Sequence, residues 1–295
     1  MKNQKIILLS FATKNLVRSS KRLRTQAEKL KIYDEIIILN EDAIISSQKE
    51  IIEYKRIAKN NKGYGFWFWK PYLVLDILNK LQEGDIIHYL DVGCHLNVSG
   101  IKRFKEYIDV IKNSEKGVLA FQYNPLNYKK NKNIIFPSRE EFKYTKSDLF
   151  EYFSVLKDQE ITHTPQFWSG SFFIKKNKFS LDFCEDWLDV VISRFDLIND
   201  SISIKKNFSG FIENRHDQSV FSIMCKKKQI KKISAYECDW AYLDNQRTWT
   251  HLEDQPIVAK RDLTYNIFRR FVNRQKKTLR RLKLKFVNWR DGRAV

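Results

Sequence analysis

The chain is short of the residues that break or cross-link a fold. Its 295 residues include 9 Gly, 5 Pro and 4 Cys. So little Gly and Pro excludes collagen-like and low-complexity classes. Cys94, Cys184, Cys225 and Cys238 are widely separated and form no CxxC, which excludes a zinc ribbon or a dithiol redox motif. Thiols spread over so long a chain suggest no disulfide framework, and a reducing, cytoplasmic interior is expected. Long apolar runs are missing too. Residues 6–12 are too few for a signal-peptide core with a cleavage site, and Lys14 follows at once. No run approaches the roughly 20 residues of a spanning helix, so a soluble or membrane-peripheral protein is expected. There is no GxxxxGK[ST], GxGxxG or GxSxG, which removes P-loop, dinucleotide-binding and nucleophile-elbow readings. His95, His163, His216 and His251 do not fall at metal-ligand spacings, and His88, inside an apolar strand, reads as a core residue.

Acids are scarce as well: 35 Asp and Glu against 54 Lys and Arg leave a formal charge of +19. Such an excess points either to an anionic partner or to a composition rich in Lys, Asn and Ile. The scattered lysines fit the second account. Residues 260–295 do not, since they hold thirteen Lys or Arg and two acids, Asp262 and Asp291. What is abundant is core material, with 43% hydrophobic and 14% aromatic residues. One large domain over 1–259 and a basic extension over 260–295 are expected.

Apolar runs over 6–13, 35–39, 85–90 and 117–122 read as buried strands, and 171–174 as a shorter one. Between them lie helical patterns: a basic helix over 19–30, a polar one over 44–59, and a stripe of Leu73, Ile77 and Leu81 behind Pro71. Further helices are expected over 98–111, 181–192 and 217–226, and residues 129–132 read as a lysine-rich loop. This alternation predicts an α/β fold with a mostly parallel sheet flanked by helices. Ligands of such sheets bind beyond the carboxyl ends of the strands, where Thr13 and Asp91 stand.

Four blocks carry candidate chemistry. In GYGFWFWKPY, residues 63–72, Trp67 and Lys70 stand beside two glycines and a helix start, which suits a diphosphate or a sugar face, or else a core strand. In YLDVGC, Asp91 ends a strand as a possible cation ligand, and Gly93 lets a ligand approach the backbone; a plain turn is the alternative. In QFWSGSFFIKKN, Ser169 and Gly170 precede an apolar strand and leave room for a sugar. In ENRHDQSVFSIM, His216, Asp217 and Gln218 precede an apolar helical face, where Asp217 alone is accounted for as a cap.

Taken in order over about residues 6–241, these blocks resemble a family of bacterial glycosyltransferases of the GT-A fold, found in capsule and lipopolysaccharide gene clusters. They are also similar to eukaryotic retaining galactosyl- and xylosyltransferases. The resemblance implies a GT-A-like catalytic domain that moves a sugar from a nucleotide-diphosphate donor, UDP-linked, to a hydroxyl of a surface glycan or lipid-linked acceptor, with retention. It implies that Thr13 lies by the base, that Asp217 is the sugar-side carboxylate, and that Gln218 faces the donor sugar. Such enzymes hold Mn²⁺ or Mg²⁺ on a DxD motif. Asp91 matches its first acid, but Gly93 stands where the second belongs, which leaves metal dependence open and offers Lys70 as the cation for the leaving phosphate.

In the extension, Phe268, Val272, Leu279, Leu282, Phe286 and Trp289 recur at near-helical spacing among the basic residues. A basic helix with an apolar face fits an anionic membrane surface, here the inner face of a bacterial membrane. The rival reading is a non-catalytic protein that binds nucleic acid or membrane through this segment. No recognition module for nucleic acid is found.

Overall fold

A computed structural model describes residues 4–44, 62–126 and 133–260, together with Gln275 and Leu282. The polar helix expected over 44–59, the loop over 129–132 and nearly all of the basic extension lie outside the described residues. The centre is a six-stranded sheet. Its strands are β1 (Ile6–Phe11), β2 (Glu35–Leu39), β3 (Ile86–Leu90), β4 (Val118–Gln122), β5 (Phe167–Lys175) and β6 (Lys231–Ser234). Their spatial order is β2-β1-β3-β5-β4-β6. The β1–β2, β1–β3 and β4–β6 pairs are parallel, whereas β5 runs against both of its neighbours. The sheet is thus mixed and mostly parallel, as the alternation of elements requires.

Helices cover both faces. Leu23, Ala27 and Leu30 of α1 (Val17–Leu30) and Phe104, Tyr107 and Ile111 of α3 (Ile101–Lys112) pack with Leu8, Ile86, Leu90 and Phe173 on one side. On the other, α2 (Trp69–Lys80), α4 (Lys178–Ser193) and α5 (Asp217–Lys227) pack with Leu9, Ile87, Tyr89, Phe172 and Ile174. Successive strand residues point to opposite faces, so strands covered on both sides are apolar at nearly every position. β2 was expected to be buried in the same way. It is instead an edge strand whose side chains are at best half-covered, because only β1 pairs with it. His88 is a core residue as expected, with Ser171 Oγ 3.0 Å from Nε2 and Tyr33 OH 2.7 Å from Nδ1.

The strand expected at 171–174 is longer, running from Phe167 to Lys175, and Ser169 and Gly170 lie inside it. Its register against β4 jumps: Ala120 faces Phe172, but Phe121 faces Trp168. Ser169, Gly170 and Ser171 are therefore surplus on the β5 side, a bulge that frees their backbone groups from that ladder. A Cβ on Gly170 would lie 2.3 Å from Trp168 Cε2, so the bulge closes only with glycine there.

The four cysteines are free thiols, all buried. Among the described residues no helix is long and apolar enough to cross a membrane.

Candidate active site

The parallel strands end on one side of the sheet, and the reversal of β5 brings its start to that same side. Asp91 follows β3 and is tied to the bulge by its N–H, 2.8 Å from the Gly170 carbonyl. Tyr89, two residues earlier and so on the same face of the strand, donates its hydroxyl to Asp91 Oδ1 at 2.9 Å. Arg22 of α1 clamps the turn that follows, donating to the carbonyls of Val92 and Cys94 at 2.9 and 2.8 Å. Gly93 sits in that turn, which the Cys94 N–H closes on the Asp91 carbonyl at 2.8 Å.

Lys70 reaches this point from the first turn of α2. The chain enters α2 through a left-handed turn in which Gly63, Tyr64, Gly65, Phe66 and Trp67 all have φ between 52° and 86°. Side chains at Tyr64, Phe66 and Trp67 make that conformation costly, about 1–2 kcal/mol each. Packing holds it: Phe11 lies against Trp69 at 3.9 Å between centroids, and Trp69 Nε1 donates to the Gly63 carbonyl at 3.1 Å. Trp69 is buried in the core and does not share a ligand face with Trp67, which is half-exposed.

The Lys70 ammonium is almost wholly buried, and the other three blocks meet on it. It lies 2.8 Å from Asp217 Oδ2 and 3.6 Å from Asp91 Oδ1. It also donates to the Ser169 carbonyl at 3.0 Å and to Ser169 Oγ at 3.2 Å. That carbonyl is available because the bulge lifts it from the ladder. Ser169 Oγ in turn donates to Asp217 Oδ2 at 2.9 Å. Burial opposes the charge on Lys70, but the carboxylates of Asp217 and Asp91 outweigh it and hold its pKa above the ordinary lysine value. Burial likewise lifts the Asp217 carboxyl above its ordinary range, against the pull of Lys70. The side chains of Lys70 and Asp217 are 2% and 4% exposed, whereas that of Asp91 is 32% exposed, so Asp91 is the acid that faces outward.

The remaining candidates lie around this centre. Gln218, next to Asp217 in the first turn of α5, points its amide at Gln166. Thr13 stands past the end of β1 with its hydroxyl bonded to Asn15 and is not part of the Lys70 cluster. His216 is turned away from the centre. Its Nδ1 lies 2.6 Å from the Ile198 carbonyl, Lys62 Nζ lies 3.1 Å from Nε2, and the ring packs on Phe66 and Trp67. Burial, with Lys62 adding to it, lowers its pKa to about 3, so the ring is neutral.

A two-carboxylate cation cradle does not fit these residues. Glycine holds the second position, and Asp91 Oδ1 is already engaged by Tyr89 and Lys70. Among the described residues no group of three or more His, Cys, Asp or Glu is arranged to hold a metal ion.

Tyr89, Arg22 and Gln166 were not singled out from the sequence. Tyr89 had a signal, the two-residue strand spacing from Asp91. Arg22 and Gln166 are brought in by long-range packing and had none.

No family model matches the chain, and no curated protein matches it by sequence. Similar solved structures are glycosyltransferases. One, involved in glycosylation of the major capsid of the virus PBCV-1, is 10% identical with a TM-score of 0.46 over 96% of this chain and 99% of that one. Mouse xyloside xylosyltransferase 1 is 10% identical at TM-score 0.43, over 79% and 86% of the two chains. The galactosyltransferase LgtC, solved with donor and acceptor sugar analogues, is 12% identical at TM-score 0.36, over 79% and 75%.

Proposed function

We propose that this chain is a glycosyltransferase of the GT-A type that moves a sugar from a UDP-sugar to a hydroxyl of a glycan or lipid-linked acceptor. The observation that carries the reading is the meeting of Asp91, Lys70, Ser169 and Asp217 at the carboxyl edge of the sheet. Residues from three distant segments converge there on one buried ammonium, where this fold class binds its ligands.

The reaction breaks the bond between the anomeric carbon and the diphosphate oxygen. The electron pair leaves with the UDP, and the acceptor oxygen forms the new bond and gives up its proton to the departing diphosphate. Positive charge grows on the sugar and negative charge on the leaving diphosphate. In this reading Asp217, behind Ser169, stabilises the first, and Lys70 offsets the second. Asp91, the more exposed acid, contacts the donor, with Gly93 allowing close approach of the ligand. Trp67 and Gly170 shape the sugar face, and Thr13 lies toward the base. Similarity of the motif order to retaining enzymes favours retention. The basic segment 260–295 would hold the enzyme against an anionic membrane at the cytoplasmic face, close to a lipid-linked acceptor.

Thermal shift with a panel of nucleotide sugars, with and without Mn²⁺, followed by an assay of UDP release, tests the reading. A UDP-sugar is expected to stabilise the protein and to release UDP slowly. No stabilisation by any nucleotide sugar, with salt-sensitive DNA or RNA binding instead, would reject it.

A further inference from the structure

Behind Gln218 lies a buried polar relay that the proposed reaction does not explain. Gln218 Nε2 donates to Gln166 Oε1 at 2.6 Å, and Gln166 Nε2 donates to Glu141 Oε1 at 2.8 Å. Glu141 and Gln166 are both 0% exposed. The Glu141 carboxylate also accepts from Thr145 Oγ1 at 2.7 Å and from Ser222 Oγ, and it pairs with Lys226 Nζ at 2.8 Å.

The directions of these bonds are fixed by what each group is able to do. Ser222 Oγ accepts from the Phe167 N–H at 2.8 Å, so its own hydrogen goes to Glu141. Lys226 spends its other N–H bonds on the carbonyls of Ile161 and Thr164, at 2.8 and 3.1 Å. Every neighbour of the carboxylate is thus a donor. Gln166 must turn its NH₂ toward Glu141 and its oxygen toward Gln218. Gln218 must then offer its NH₂ to Gln166, which leaves Gln218 Oε1 on the opposite side. Among the described residues nothing donates to that oxygen, and it is not sealed from solvent.

We propose that Glu141 and Gln166 are positioning residues: they set the polarity of two amides in series so that Gln218 presents a carbonyl oxygen to the donor sugar. The inference rests on the glycosyltransferase reading, which places Gln218 at that sugar. An oxygen there accepts from a sugar hydroxyl and carries partial negative charge beside the developing positive charge. The reversed amide would put partial positive charge in the same place. The relay is built from α5, the start of β5 and the short helix Glu141–Tyr144, so the orientation is set by groups too deeply buried to touch substrate.

The test uses Gln166→Met, which leaves the other three donors on Glu141 intact. UDP release is expected to fall about tenfold in kcat, the scale of one misdirected hydrogen bond, with UDP affinity little changed and Tm lowered by only a few degrees. In a Gln218→Glu background, which offers an oxygen in either orientation, the same change is expected to lower kcat by less than about twofold. An equal fall in both backgrounds, or none in the first, overturns the proposal. A second arm needs no turnover: in ¹⁵N-labelled full-length protein the Gln218 side-chain amide is expected to exchange slowly with solvent, and rapidly in Gln166→Met. Rapid exchange in both overturns the relay. Wild-type protein that neither binds UDP nor turns over any nucleotide sugar defeats the glycosyltransferase reading instead, and the exchange arm still decides the relay.

Discussion

The ammonium of Lys70 lies 2.8 Å from Asp217 Oδ2, and both side chains are buried at the carboxyl edge of the sheet. The two residues are far apart in sequence, one opening α2 and the other α5. Their pairing joins the helices to the bulge of β5 through Ser169.

Removing the cation alone strands a buried carboxylate. Lys70→Met is expected to destabilise the fold by about 3–5 kcal/mol. The double variant Lys70→Met/Asp217→Asn is expected to recover more than half of that loss, since the one charge then left without its partner, Asp91, is partly exposed. Urea titration of the two variants checks this, and equal losses would show that packing, not charge, is what Lys70 supplies.

Asp91 is partly exposed, so its loss should spare the fold. Asp91→Ala is expected to cost only about 1–2 kcal/mol, because the buried Tyr89 hydroxyl and Lys70 each lose a partner while the remaining contacts of Lys70 stay. Transfer is expected to drop about a hundredfold or more. Urea denaturation and UDP release measured on the same preparation read both. Full activity in the variant would remove Asp91 from the site.

Asp217→Asn keeps the shape and removes the charge. A carboxylate that acts on developing positive charge matters more in the transition state than in the bound donor. The variant is therefore expected to lose about tenfold or more in kcat while donor affinity stays within about threefold. Wild-type turnover would reduce Asp217 to a partner of Lys70.

His88 and His216 are buried and neutral, with pKa values lowered to about 3, by burial alone at His88 and by burial and Lys62 at His216. In the unfolded chain both titrate near the ordinary value of about 6.5. Between these limits the unfolded state binds more protons, so stability falls as pH falls. From pH 7 to pH 5 the expected loss is roughly 2 kcal/mol for each histidine. The dependence is expected to flatten in His88→Asn, which takes up no proton in this range. Chemical denaturation at several pH values measures the slope.

Much of this was legible in the sequence because it is periodic. Alternating apolar runs gave β1, β3 and β4 and the helices behind them, and the four motif blocks named Asp91, Lys70, Ser169 and Asp217, which the fold brings together. What could not be read was directional or long-range. Nothing local to FWSGSFFIK marks β5 as antiparallel, since a run of buried apolar residues looks the same in either sense. The bulge was hidden because a register shift belongs to a pair of strands and not to one. His216 was drawn to the site by its neighbours in sequence, yet a positive φ of 58° swings its ring inward onto Phe66.

The bulge in β5 also limits how this chain can vary. Ser169, Gly170 and Ser171 form a surplus of three residues against β4 while β3 keeps continuous pairing up to Ser171. Losing a single residue there would leave the far half of the strand in place and rotate the near half by one step of the pleat. Side chains that now point at the lysine would then point into the opposite layer. Length in this loop-like interruption is therefore as constrained as identity: substitutions at Ser169 adjust the chemistry, whereas deletions dismantle the geometry that lets three remote segments share one cation.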